Sequence, residues 1–220
     1  MFGIRFIKTQ PTTHLMQYRG GRLMREGAGL SFFYYGPATT LVAVPLASHD
    51  RPFMLELVTS DFQSVTVQGQ VTYRISTPQR TAAMMDFSLR PDGKGYASED
   101  PARLGDRVAQ QTEVIVQQAV QALNLKQALC STALIARTAQ TELSAQPEIE
   151  ALGLEILGAS ILSVKPTPDI ARALEAEARE SNLRAADDAV YARRMSAVEK
   201  ERAIRQNELA PVHTNEGIRR

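Results

Sequence analysis

The sequence predicts an α+β fold, in which a mainly antiparallel β-domain with packed helices precedes one long projecting helix. In the segment Val65–Ile75 every odd position is apolar or glycine and every even position is polar, which is typical of a strand with one buried face. Apolar residues then recur at helical spacing from Leu104 to Leu123, and a second helical stretch follows. Ile170–Ala210 contains neither Gly nor Pro and is rich in Ala and charged residues. Strands followed by helices and a last strand indicate α+β layers.

The pattern of charge divides the chain into a basic lead-in (residues 1–25), the α+β domain (26–166), a charged Ala-rich helix (167–210) and a flexible tail (211–220). From Met1 to Arg25 there are five cations and no acid. The opening MFGIRFIK has two interpretations. One is a lipid-facing edge, in which apolar side chains enter the headgroup region and cations meet anionic lipid. Its membrane-contact candidates are Phe2, Ile4, Arg5, Phe6, Ile7 and Lys8. The other, which the sequence favours, is a first strand with Phe2, Ile4 and Phe6 facing inward, and it leaves membrane contact open.

The stretch Gly27–His49 contains no Asp, Glu, Lys or Arg and is long enough to span a bilayer. Pro37 and Pro45 interrupt it, however, and aromatic and β-branched residues dominate both halves. This composition favours two strands, Leu30–Tyr35 and Thr39–Leu46, joined by a turn. We therefore expect no transmembrane helix. We also expect no signal peptide, since cations break the apolar run at the N-terminus.

The remaining elements of the domain follow in order along the chain. The segment His49–Pro52 is predicted to be a turn, and Phe53–Val58 a short apolar run. The strand Ser64–Ser76 is long, and Gly69 in its middle marks a bulge or a bend. Pro78 begins a short helix, because proline suits the first helical turn. Later segments are predicted from periodicity alone: helices at about 102–123 and 126–152, the second broken near residue 147, and a closing strand at 154–164.

The segment after Pro168 is predicted to be one helix about 60 Å long, which is too long to lie within a domain of this size. A single apolar seam repeats every seven residues, and its self-association candidates are Ala176, Leu183, Val190, Ala197 and Ile204. The companion seam three residues further on is mostly charged or polar, so we do not expect a dedicated two-stranded coiled coil. Small residues on a charged helix favour side-by-side packing of many parallel copies. The alternative is a single solvated helix.

Neither composition nor spacing nominates a catalytic site. The 25 cations balance 24 acids, which argues against nucleic-acid binding, and a single Cys excludes a disulfide framework or a Cys-built metal site. The histidines at 14, 49 and 213 are far apart, and none has metal-ligand spacing. No motif of a serine hydrolase, a zinc peptidase or a nucleotide-binding loop is present. We therefore expect no catalytic residue, metal, cofactor, nucleic-acid partner or small-molecule substrate.

Several segments, taken in their order and spacing, resemble the pattern of a known protein family. They are EGAGLSFFYY, LVAVPL, FMLELVTSD and VTVQGQVTYRISTP, then DRVAQQTEVIVQQAVQALNLKQAL, and finally EALGLEILGASILSVKPTPDIARALEAEARE. Together they resemble the SPFH (Band 7) family from Arg22 to Ala210. The resemblance implies a non-enzymatic scaffold that assembles into rings or cages at a membrane and organises microdomains or regulates membrane proteins and proteases. Two features depart from the family pattern: the expected lack of an N-terminal anchor, and Pro211, which is expected to end the helix.

These observations lead to two functional hypotheses. The first is a high-order homo-oligomer, cytoplasmic and peripheral to a membrane, with membrane lipid or a membrane protein as its partner. The alternative is a soluble self-assembling shell or adaptor without a lipid partner. Deletion of Met1–Lys8 is expected to abolish vesicle binding under the first hypothesis and to leave assembly intact under both.

Overall fold

The computed structural model describes the backbone of residues 3–217 and the side chains of residues 3–205. The chain divides after Thr167 into two units, which are described separately. Within the described residues, the first unit contains three antiparallel sheets with helices, and the second unit is one long helix. The predicted α+β class with a long C-terminal helix is confirmed.

Two of the sheets share a core at the N-terminal end of the first unit. A two-stranded ribbon is formed by β1 (Ile4–Lys8) and β4 (Ser31–Tyr35). The second sheet has the order β3-β2-β5, with β2 at Thr13–Arg19, β3 at Arg22–Ala28 and β5 at Thr39–Pro45. Buried side chains from the ribbon and the sheet form one cluster: Ile7, Leu15, Phe32, Tyr34, Leu41 and Ala43. The sheet therefore covers one face of the ribbon.

The third sheet carries helices on one face. Its central strand β7 (Ser64–Ile75) lies between β6 (His49–Val58) and β8 (Leu154–Pro166). The alternation predicted for β7 is confirmed, because its apolar positions are buried and the positions between them are not. Helix α2 (Asp100–Gln121) packs on β6, α4 (Thr132–Ala145) packs on β8, and the two helices contact each other. The described part of this unit also contains a 3-10 turn at Gly36–Ala38 and three shorter α-helices: α1 (Pro78–Met84), α3 (Leu125–Cys130) and α5 (Pro147–Ala151).

Two positions in this sheet show how proline and glycine fit a strand. The segment His49–Pro52, predicted to be a turn, is the first part of β6, so that prediction is wrong. Proline has no backbone N–H to donate. Because β6 is an edge strand, no strand on its open side requires a hydrogen bond from Pro52. The bulge predicted at Gly69 is confirmed by a register shift against β8. A Cβ at residue 69 would lie 2.5 Å from both the Phe53 ring and the Ser160 carbonyl oxygen, so only glycine fits.

The turn between β6 and β7 connects the sheet to the start of α3. The Asp61 carboxylate accepts hydrogen bonds from the Thr59 hydroxyl at 2.5 Å and from the Leu125 amide at 3.1 Å. The Thr59 hydrogen bond is the main cause that holds the pKa of Asp61 below its ordinary value. Burial opposes it, and the Leu125 amide adds a smaller lowering effect. A carboxylate at this end of a helix also satisfies an amide that lacks an intrahelical partner. Thr59 and Asp61 thus hold the start of α3 against the sheet.

The second unit is α6 (Pro168–Gly217), a helix of 50 residues. We expected the helix to end before Pro211, and that expectation is wrong, because the backbone stays helical as far as Gly217. Proline inside a helix removes one N–H donor and crowds the preceding turn, which disfavours the helix without forbidding it. The tail predicted for residues 211–220 is therefore helical to residue 217, and its remainder lies outside the described residues.

Candidate functional site

The β1–β4 ribbon has apolar side chains on both faces, and the core covers one of them. The strand register places Ile4 opposite Tyr35 and Phe6 opposite Phe33. Directly opposed residues lie on the same side of a sheet, and alternate residues of one strand share a side, so these four side chains form one surface. On the opposite side of the ribbon, Ile7, Phe32 and Tyr34 belong to the buried cluster. The four side chains, which we call the ribbon face, therefore point away from the core.

The ribbon face is apolar and exposed. The exposed fractions are 63% for Ile4, 55% for Phe6, 72% for Phe33 and 51% for Tyr35. The rings of Phe6 and Phe33 contact each other with their centroids 4.9 Å apart. Single exposed apolar residues are common on proteins, whereas large contiguous apolar patches are characteristic of interaction surfaces.

The structure reverses the predicted facing of β1. We expected Ile4 and Phe6 to face inward, and both are on the exposed side. Ile7, a membrane-contact candidate, is only 8% exposed and lies in the core, so it is not available for contact. Ile7 is buried because the β1–β4 ribbon packs its Ile7 side against the β3-β2-β5 sheet.

The other membrane-contact candidates have different surroundings. Lys8 shares the outward side of β1 with the ribbon face, by the alternation of the strand. Arg5 lies on the opposite side, where its guanidinium donates a hydrogen bond to the carbonyl oxygen of Pro91. Phe2 lies outside the described residues. A role of any of these side chains in membrane contact stays a prediction.

Sequence reasoning missed Phe33 and Tyr35 as members of the exposed surface. The SFFYY segment does show that these two residues share one side and that Phe32 and Tyr34 share the other. Both sides are aromatic, however, so the alternation does not say which one is buried. Only the pairing of β4 with β1 brings Phe33 and Tyr35 together with Ile4 and Phe6.

A basic hairpin lies beside the ribbon. Strands β2 and β3 are joined at Gly20 and Gly21, which have φ values of +56° and +76°, and the exposed cations Arg19, Arg22 and Arg25 lie at or near this turn. The guanidinium carbon of Arg25 is 5.4 Å from the centroid of the Phe32 ring, on the core side of the ribbon. Arg19 and Arg25 also line one groove together with Phe33 and Tyr35 of the ribbon face. Neighbouring apolar side chains and cations are typical of proteins that lie on anionic membranes.

The self-association candidates form a stripe on α6. All five are exposed on the isolated helix, with exposed fractions of 61% for Leu183, 45% for Val190 and 59% for Ile204. Heptad positions drift by about 20° per seven residues in a straight helix, so the stripe winds slowly around it. It is about 42 Å long from Ala176 to Ile204. Self-association through this stripe stays a prediction.

Two further features bear on function. Within residues 3–217 no helix combines the length and the apolar character needed to cross a bilayer. A cavity of about 410 Å³ lies between α1, α2 and α5, and its lining residues include no Ser, Cys or His. The Gln111 amide on its wall donates a hydrogen bond of 2.6 Å to the Glu148 carboxylate.

Comparison with known proteins supports the likeness seen in the sequence. The chain matches the model of the SPFH domain / Band 7 family over residues 7–209, which includes β2 to β8, the packed helices and most of α6. No curated protein matches the chain significantly. The chain therefore belongs to the SPFH domain / Band 7 family, whose members are generally non-enzymatic, and this membership supports a membrane-associated, scaffold-type role.

Proposed function

We propose that this protein is a non-enzymatic scaffold that assembles into high-order homo-oligomers on an anionic membrane surface, where it organises lipids and membrane proteins or regulates membrane proteases. The observation that carries the proposal is the ribbon face, four exposed apolar side chains at one end of the first unit. Family membership is the second support.

The ribbon face and the basic hairpin provide two different contributions to membrane affinity. Apolar side chains gain free energy by leaving water, and each cation near an anionic surface contributes about 1 kcal/mol at physiological ionic strength. One such contribution alone gives weak and reversible attachment, whereas two together give stable attachment. Because residues 1–25 contain no acid, no carboxylate of this segment opposes the attraction.

Assembly is the role we assign to α6. A helix whose side chains are almost all in water gains little stability from packing of its own, and its apolar stripe has no partner within the helix. Parallel copies that pack through the stripe would bury Leu183, Val190 and Ile204. An oligomer would also present many ribbon faces to one membrane, and multivalency raises the overall affinity without any new contact.

Vesicle flotation and sedimentation velocity test the two parts of this proposal separately. We expect the protein to float with vesicles that contain phosphatidylglycerol, to bind less in high salt, and to sediment at micromolar concentration as a large species. Leu183→Asp should reduce the oligomer size, whereas Ala185→Asp places the same charge on the opposite side of the helix and should not.

The assembly part and the membrane part of the proposal can also fail independently. A chain that sediments as a monomer contradicts the assembly part, and an assembled chain that does not float contradicts the membrane part. The second result is the one expected of a soluble shell or adaptor. Deletion of Met1–Lys8 is a poor test of membrane contact, because it removes β1 and with it Ile7 from the core. Point substitutions on the ribbon face avoid this problem.

A further inference from the structure

A groove lined by two arginines opens beside the ribbon face. It has a volume of about 220 Å³ and is walled by residues of β2, β3, β4 and the start of β5. Arg19 and Arg25 provide its cations, and Phe33 and Tyr35 of the ribbon face form part of its wall. The complete lining is Gln17, Arg19, Met24, Arg25, Phe33, Tyr34, Tyr35 and Thr39. The groove and the ribbon face therefore share two residues.

The chemistry of the lining suits an anion. None of the lining residues is acidic, and Gln17, Thr39 and the tyrosines add groups that can donate hydrogen bonds. Glu26 is the carboxylate next to Arg25 in sequence, but it accepts a hydrogen bond from the Gln79 side chain and lies 3.6 Å from His14 Nε2. Its charge is thus engaged away from the groove.

One of the two cations is held in place before any ligand binds. The Arg25 guanidinium lies over the Phe32 ring at 5.4 Å, within the range of a cation–π contact, and Phe32 is itself buried in the core cluster. A guanidinium that is already positioned loses less side-chain freedom when it binds an anion. Arginine side chains are well suited to phosphate, because a guanidinium can donate paired hydrogen bonds to its oxygens.

We propose that this groove binds the phosphate of a phospholipid headgroup, and that it prefers a phosphomonoester lipid to other anionic lipids. The proposal rests on the membrane role proposed above and adds a ligand to it. The position of the groove favours lipid over a free phosphate, because Phe33 and Tyr35 would bring its wall into the headgroup region when the ribbon face meets the bilayer. A monoester leaves its phosphate oxygens accessible to both arginines, whereas the phosphate of a diester is substituted on both sides.

The test compares vesicles that carry phosphatidic acid with vesicles that carry phosphatidylglycerol, adjusted to equal zeta potential. We expect the intact protein to bind the phosphatidic acid vesicles about tenfold more tightly, as paired charge-assisted hydrogen bonds would give. Arg19→Gln and Arg25→Gln should reduce this ratio to about one. Arg22→Gln is the matched control: it removes the same charge at the same hairpin, outside the groove lining, so it should weaken both affinities about fivefold and preserve the ratio.

The outcomes distinguish the groove from the proposed function. Equal binding to both vesicle types by the intact protein overturns the groove proposal and leaves the membrane role standing. Failure to bind either vesicle contradicts the membrane role, and the groove proposal falls with it. Saturable binding of inorganic phosphate that Arg19→Gln abolishes, together with no preference between vesicles, would show a site for a soluble phosphate and overturn the assignment to lipid.

Discussion

Replacement of Phe33 by serine should weaken membrane binding strongly while leaving the fold almost unchanged. Phe33 is 72% exposed, so about 140 Å² of a side chain of roughly 200 Å² is in water. Complete transfer of that area into an apolar environment is worth about 3.5 kcal/mol at 25 cal/mol per Å². A residue that lies in the headgroup region transfers about half of it, so we expect the affinity for anionic vesicles to fall roughly 10- to 30-fold.

The same substitution should cost little folding stability. Phe33 makes its ring contact with Phe6 across the ribbon, at 4.9 Å between centroids, and cross-strand pairs of this kind contribute less than about 1 kcal/mol. The assay is a vesicle titration at fixed salt, paired with urea unfolding of each variant. The matched control is Phe62→Ser, which removes an 88% exposed phenylalanine from the turn between β6 and β7. Equal losses of affinity for both variants, or none for Phe33→Ser, would refute the assignment of the ribbon face.

Three predictions concern the fold that presents this surface. Asp61→Asn should destabilise the protein above about pH 4, because the native carboxylate has a lowered pKa and its ionised form stabilises the folded state there. This contribution is lost as the pH falls through the folded-state pKa, so the stability difference from wild type in urea unfolding should shrink in acid. Gly69→Ala should cost roughly 1–3 kcal/mol, since the new methyl group meets the Phe53 ring, and thermal unfolding would show it as a lower melting temperature. Thr81→Val should cost about 1–3 kcal/mol in the same assay, because it leaves the buried Leu152 carbonyl without the 2.7 Å hydrogen bond from the threonine hydroxyl.

The sequence predicted the elements whose pattern has only one interpretation. The alternation from Val65 to Ile75 has apolar residues on one side and polar residues on the other, and the apolar side of β7 is buried. The long run without Gly or Pro after Pro168 forms α6. In both cases local periodicity and long-range packing demand the same arrangement.

The candidate site could be predicted only in part, because its strands are apolar on both sides. In β1, Ile4 and Phe6 alternate with Ile7, and in β4 Phe33 and Tyr35 alternate with Phe32 and Tyr34, so alternation alone does not decide which side is buried. The buried side is determined by the pairing of β1 with β4, which are more than 20 residues apart in the chain, so no local sequence pattern indicates it. Pro52 shows a related limit, since it suggests a turn unless the strand is known to lie at the edge of a sheet.

Depth-dependent fluorescence quenching on vesicles shows which face of the protein enters the bilayer. Cys130, the single and exposed cysteine, is replaced by serine, and an environment-sensitive probe is attached through Phe33→Cys or, in a second protein, through Phe62→Cys. Vesicles contain anionic lipids with bromine atoms near the headgroup end of the acyl chains. We expect strong quenching of the probe at residue 33 and none at residue 62. Quenching at residue 62 without quenching at residue 33 would show that another face of the protein meets the membrane and would rule out the ribbon face as the membrane contact.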